Sequence, residues 1–185
     1  ASMKKVILTL FIVPFLSSCF QTRTIVRQKA VASQNYWQQH VDYTMDIEVD
    51  VKKYRYKGAQ KLVYTNNSPD DLTHVYYHLY FNAFQPNSQM DIRSLTIKDP
   101  DPRVGDRISK LKPDEIGYIK VNSLKQNGVA ITYEIVGTIL EVTLNKPIKS
   151  GETVTLDMLF DAQVPVQIRR SGRNSEENIA LSMAQ

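Results

Sequence analysis

The sequence predicts an all-β fold, an antiparallel β-sandwich or a saddle of sheets with seven or eight strands, preceded by a signal segment and a flexible tether. Three observations carry that prediction. Apolar and polar residues alternate strictly along Val41 to Val51, turn chemistry recurs between short apolar runs, and no helix longer than two turns shows a convincing apolar period.

The first element is a leader. Lys4 and Lys5 precede an apolar run of eleven residues, Val6 to Leu16, which is too short to span a bilayer. Leu16, Ser17, Ser18 and Cys19 then match the lipobox at which bacterial lipoprotein precursors are lipidated and cleaved. That chemistry asks for a nucleophilic thiol at the membrane surface, and Cys19 is the only cysteine, which also excludes an internal disulfide. Residues 1–19 therefore read as a lipoprotein signal segment, with Cys19 as the lipidation site and the bacterial cell envelope as the location. Several acyl chains together make a firm membrane anchor. An ordinary cleavable signal with a chance cysteine, or a buried helix, is the alternative. Ala1 and Ser2 ahead of Met3 read as residues added for expression. Residues 20–35 hold Arg23, Arg27 and Lys29, no acid and no glycine, and read as a tether.

Residues 36–185 read as the β domain. Tyr43, Met45, Ile47, Val49 and Val51 share one face of the first strand and Asp42, Thr44, Asp46, Glu48 and Asp50 the other, the pattern of a half-buried strand. A turn at Lys52 and Lys53 leads to a second strand, Tyr54 to Thr65, which Asn66, Asn67, Ser68, Pro69 and Asp70 close with strong turn chemistry. Leu72 to Phe81 is predicted as a third strand, followed by long polar connections at Asn82 to Asn87 and Pro100 to Pro113. Tyr118 to Leu124 and Val129 to Val136 flank Asn127 and Gly128, a pair that favours a tight hairpin. Leu140, Val142 and Leu144 alternate next, with a turn expected over Asn145 to Gly151. Val154, Leu156, Met158 and Phe160 mark a further strand ended by Val164 and Pro165. Val166 to Asn178 reads as a polar, basic loop, and Ile179 to Met183 as a last short apolar segment.

With 185 residues, 42% of them apolar, the chain can bury a core. The net charge of +4 does not make it a nucleic-acid binder: removing Lys4, Lys5, Arg23, Arg27 and Lys29 leaves −1 on the rest, with no block of like charge to steer a polyanion.

The sequence holds no complete active site. His74 and His78 reproduce the spacing of a zinc-peptidase pair, but that motif works on a helix and needs a glutamate where Val75 stands. On a strand the two histidines lie roughly 13 Å apart at about 3.3 Å per residue, too far to share an ion. His40 has no partner at ligand spacing. Asp46, Glu48 and Asp50 could suggest a calcium site or an acid–base pair, yet they read as a solvated strand face, and no metal is assigned. Arg169, Arg170 and Arg173 form a local basic cluster, read as a solvated loop or else a contact surface. No nucleophile elbow, phosphate loop or dinucleotide fingerprint occurs.

The order of segments resembles a family. Val-Asp-Tyr-Thr-Met-Asp-Ile-Glu-Val-Asp-Val over Val41 to Val51, Gly58, Tyr64-Thr-Asn-Asn, and Tyr-His-Leu-Tyr-Phe-Asn-Ala-Phe within Leu72 to Phe84 are similar to the N-terminal β domain of zinc metallopeptidases typified by aminopeptidase N and leukotriene hydrolase, the gluzincins. Pro147 to Phe160, with Ser150-Gly151-Glu152 before an alternating strand, and Ala180 to Gln185 extend the resemblance, which spans roughly residues 36–185. It rests on order and spacing rather than on an invariant catalytic motif.

That resemblance implies a non-catalytic domain. In the family the His-Glu-x-x-His pair, a distal glutamate ligand and a Gly-x-Met-Glu-Asn loop belong to a later, helical domain, and this sequence contains none of them. The expectation is a chain truncated before its catalytic domain: zinc as cofactor there, none here, with peptide as the substrate of the whole enzyme. This β domain would wall one side of the cleft, and Gln185 would occupy the place where a side-chain amide meets the substrate's free α-ammonium. The alternative is a free-standing lipoprotein β-sandwich acting as a binding or adhesion module.

Overall fold

The computed structural model describes residues 36–169, 171–173 and 181–183. The leader, Cys19, the tether and Gln185 lie outside the described residues. The strands, in chain order, are β1 (His40–Asp50), β2 (Arg55–Thr65), β3 (Leu72–His78), β4 (Tyr118–Gln126), β5 (Val129–Ala130), β6 (Tyr133–Val136), β7 (Ile139–Ile148), β8 (Thr153–Gln163), β9 (Ser171–Arg173) and β10 (Leu181–Met183), with one α-helix, α1 (Gln89–Thr96), between β3 and β4. A five-stranded sheet in the order β1-β2-β8-β4-β5 faces a three-stranded sheet in the order β3-β7-β6, and β9 pairs with β10. Every ladder in them is antiparallel. This is the expected all-β sandwich.

The core lies between the two large sheets. Leu62, Val121, Leu124, Leu156 and Met158 of the five-stranded sheet meet Val75, Leu140, Val142 and Leu144 of the three-stranded one, all buried. Period-two alternation on β7 and β8 places these side chains on one face. Gly58 is needed opposite Phe160, because a β-carbon there would overlap the Phe160 ring. That ring stands edge-on to Tyr56, 6.1 Å between centroids. A second cluster, Phe81, Phe84, Val104, Ile108, Val164 and Ile168, packs the long connection between β3 and β4. Gln163, 1% exposed, ties that connection to β8: its amide donates to Pro113 O (2.9 Å) and Ile116 O (2.8 Å) and accepts from Arg55 Nε (2.9 Å).

Turn chemistry is carried by particular side chains. Asp50 Oδ1 accepts from the backbone N–H groups of Lys52 (3.1 Å) and Lys53 (3.0 Å), and the Lys53 bond leads in holding its carboxyl below the usual range. Asn127 (φ 49°) and Gly128 (φ 83°) both take positive φ, as the two-residue hairpin between β4 and β5 requires. Asn66 is fully buried at 0% exposure. Its amide nitrogen donates to Asp70 O (2.8 Å) and Ile148 O (2.9 Å), and its amide oxygen accepts from Ser68 N (3.0 Å), Ser68 Oγ (2.6 Å) and Gln39 Nε2 (3.0 Å). One side chain thus joins the end of β2, the approach to β3 and the end of β7.

The structure corrects several boundaries. Ten strands stand among the described residues rather than seven or eight. The predicted strand Val129 to Val136 is two: at Ile131 and Thr132 the chain leaves the five-stranded sheet, Ile131 N still bonding Leu124 O (3.1 Å) while Thr132 O already accepts from Thr143 N (3.3 Å) of β7. The third strand ends at His78, where a 3-10 turn over Tyr80–Ala83 begins, instead of running to Phe81. The expected turn from Asn145 starts later, because Lys146 exchanges hydrogen bonds with the Gln126 side chain and extends β7 to Ile148. Ser171–Arg173 is a strand within the predicted loop. Helix α1 follows a cap that carries no apolar period: Ser88 Oγ accepts from Asp91 N (3.2 Å) while Asp91 Oδ2 accepts from Asn87 N (2.9 Å).

A charged clasp holds the connection before β4. Arg103 donates to both oxygens of Asp101 (2.9 and 2.7 Å), and Arg169 Nε lies 3.3 Å from the same carboxylate. These bonds, Arg103's first, lower the Asp101 carboxyl from 3.8 to about 2. A depressed carboxyl stabilises the fold above its ordinary value, and that contribution is lost as pH falls from 3.8 to about 2. Carboxyl-carbon NMR is expected to show Asp101 titrating near 2, returning toward 3.8 in Arg103→Gln. Titration near 3.8 with Arg103 in place would mean the clasp does not form.

Candidate functional site

The two faces of β1 make the most distinctive surface. Its inward row, Tyr43, Met45, Ile47 and Val49, continues the apolar face of β2, yet all four are exposed, Tyr43 and Met45 by half or more. β1 lies at the end of the five-stranded sheet and has a partner, among the described residues, on one side only. The expectation of a half-buried strand is therefore corrected: every β1 residue is exposed. The period was right, but the three-stranded sheet provides no strand to cover it.

An open groove of about 440 Å³ runs under this overhang. Met45, Ile47 and Val49 form one wall, Tyr77, His78 and Leu79 the other, and Phe160 and Ile119 lie between them. Two polar atoms bordering it, Gln60 Nε2 and Tyr77 Oη, are buried without a hydrogen-bond partner. Burial, with Tyr43 adding to it, pushes the Tyr77 phenol well above its ordinary value, so it stays a neutral donor. The groove suits an apolar group with an acceptor on it better than an ion.

The outward face of the same sheet is charged. Glu48, Lys57, Asp161 and Lys120 occupy one cross-strand row, through the pairings Glu48↔Lys57, Lys57↔Asp161 and Lys120↔Asp161. Lys61, Asp157 and Lys125 repeat the pattern four residues along β2 and β8 and five along β4, across its bulge. Charge therefore alternates strand by strand: acidic on β1, basic on β2, acidic on β8, basic on β4.

The candidate residues named from the sequence fall as follows. Cys19 and Gln185 lie outside the described residues. Leu181–Met183 does form a strand, paired with Ser171–Arg173. His74 and His78 stand exposed on β3, His74 Nδ1 2.9 Å from Thr73 Oγ1 and His78 stacked on Tyr80 at 4.9 Å. His40 Nε2 meets Asp42 Oδ2 at 3.1 Å. Asp46, Glu48 and Asp50 are spread along the exposed face of β1, and no group of three His, Cys, Asp or Glu among the described residues could hold a metal ion. Arg169 and Arg173 part company: one joins Asp101, while the other stacks over the Tyr54 ring at 4.2 Å and donates to Asp114 O. Sequence reasoning missed Gln60 and Tyr77. The only signal was Gln60 itself, a polar residue in the inward row Tyr56, Gly58, Leu62 and Tyr64.

No family model matches the chain, and no curated protein matches it. Among solved structures the chain is similar to an M1 zinc metallopeptidase from Deinococcus radiodurans, at 16% identity and a TM-score of 0.45, over 73% of this chain and 24% of that one. It is similar to a mutant of that metallopeptidase bound to a Tyr-Ser-Ala substrate, at 16% identity and a TM-score of 0.44, over 73% and 24%. The chain thus spans about a quarter of the length of the solved chains it is similar to.

Proposed function

We propose that this chain is the non-catalytic N-terminal β domain of a cell-envelope zinc metallopeptidase of the aminopeptidase type, anchored through lipid on Cys19, that walls the substrate cleft and contributes to binding of the peptide N-terminus. One observation carries the reading: the segments that resemble the family lie, in chain order, in one two-sheet body, Val41 to Val51 covering β1 and the first residue of the turn after it, Gly58 and Tyr64-Thr-Asn-Asn lying in β2 and just past its end, Leu72 to Phe84 covering β3 and its 3-10 turn, and Pro147 to Phe160 running from the end of β7 into β8. The zinc and its general base belong, in this reading, to the catalytic domain of the same protein.

Gln185 is then the residue that reaches the substrate. A glutamine oxygen accepts from an α-ammonium without bringing a second charge that would need desolvation. A hydrogen bond to a charged group is worth roughly 1.5–3 kcal/mol, so Gln185→Ala in the whole protein should lower kcat/KM on aminoacyl substrates by about 10-fold to 150-fold with zinc content unchanged. A change below about twofold removes Gln185 from that role. The same preparation, from a host that processes lipoproteins, reads acylation of Cys19 by intact mass. If the reading frame beyond Gln185 encodes no zinc-binding domain, the peptidase reading fails. A free-standing lipoprotein module that binds or adheres is the second reading, favoured by the apolar groove and its unpartnered Gln60 and Tyr77 atoms.

A further inference from the structure

We infer that β1 is a docking edge for an extended segment of a partner polypeptide in which Lys or Arg alternates with apolar residues, added as a sixth strand to the five-stranded sheet. The inference does not depend on the peptidase reading. β1 is eleven residues long, carries neither proline nor a bulge, and pairs on one side only among the described residues. An edge of that kind leaves a row of N–H and C=O groups ready for another strand, and sheets that avoid pairing shorten, kink, cover or charge it; the carboxylates of β1 act against an acidic strand and in favour of a basic one.

The charge pattern selects the occupant. The outward face runs basic, acidic, basic, acidic from β4 through β8 and β2 to β1, in the row Lys120, Asp161, Lys57, Glu48. Across the β1–β2 ladder Glu48 faces Lys57 and Asp50 faces Arg55, whereas Asp42 and Asp46 face Val63 and Ala59, so a basic strand on the other side of β1 would continue the alternation. The inward face makes the complementary demand: Tyr43, Met45, Ile47 and Val49 are apolar and exposed, and the groove beside them would accept the incoming strand's apolar side chains. A second copy of the chain fits poorly. In-face pairing of β1 with another β1 sets carboxylate against carboxylate, and shifting it by one residue sets carboxylates against the apolar row.

The test uses the full chain and labelled eleven-residue peptides that alternate Lys with Val or Glu with Val, read by fluorescence anisotropy. The Lys–Val peptide should bind about tenfold or more tightly than the Glu–Val peptide, as several cross-strand pairs change sign. Asp46→Lys with Glu48→Lys, both exposed, should invert that preference. N-methylating one alternate set of peptide amides should abolish binding, and methylating the other set should spare it. Equal binding of the two peptides, a preference unmoved by the charge reversal, indifference to which amides are methylated, or no binding of either would each overturn the inference. So would a dimer at micromolar concentration that the charge reversal dissolves, since β1 would then be taken by a second copy.

Discussion

Asn66→Ala is expected to remove about 3–5 kcal/mol of stability, because buried groups left without a partner cost about 1–3 kcal/mol each. The carboxamide satisfies Asp70 O, Ile148 O and Ser68 N at once, and a methyl group satisfies none of them. The remaining backbone bonds, Asn66 N to Glu152 O (2.9 Å) and Gly151 N to Asn66 O (2.7 Å), survive the change but must hold two chain crossings without the side chain between them. Against a typical total of roughly 5–15 kcal/mol, such a loss leaves a domain on the verge of unfolding at ambient temperature. Urea titration should show a lower midpoint with an unchanged slope. Asn67→Ala next door, whose side chain bonds Gln38 O at an exposed site, should cost less than about 0.5 kcal/mol. A loss at Asn66 under about 1 kcal/mol would show that the three groups find other partners.

The second large effect contrasts two apolar residues of one sheet. Leu156, 0% exposed, sits on β8 between Leu62 of β2 and Gln126 of β4, under the three-stranded sheet. Leu156→Ala should cost about 2–5 kcal/mol, the lost transfer energy plus the cavity left behind. Met45, on the same inward face but 51% exposed on β1, should tolerate alanine within about 0.5 kcal/mol. A cost above about 2 kcal/mol at Met45 would falsify the claim that the β1 face is uncovered. Both are read in the same urea titration.

What the sequence made legible was local. Strict alternation announced β1 and β8, Asn127-Gly128 announced a hairpin, and Pro165 announced the end of β8. Alternation says which side chains share a face, but it does not say whether another layer covers them, and so β1 reads as half buried when it is not. The switch between sheets at Ile131 was invisible because an apolar–polar pattern runs on unbroken while the hydrogen-bond partners change from β4 to β7. Helix α1 has too little apolar period to be seen; Ser88 and Asp91 at capping spacing were its available sign. The groove was out of reach for a different reason: Gln60 and Tyr77 come from separate sheets, and nothing in a one-dimensional pattern brings them to one cavity.

The place of β8 sets a schedule for the nascent chain. β8 sits between β2 and β4, and its paired residues on β2 are 88 to 108 positions earlier, as at Thr65–Thr153 and Arg55–Gln163. At synthesis rates of about 5–20 residues per second, the β1–β2 hairpin exists for roughly 5–20 s before its inner neighbour is made. An isolated two-stranded hairpin is at best marginally stable in water, so through that interval its apolar face and both of its edges are open to solvent. Closing so distant a ladder is entropically slow as well, which makes arrival of β8 the event that commits the whole sheet.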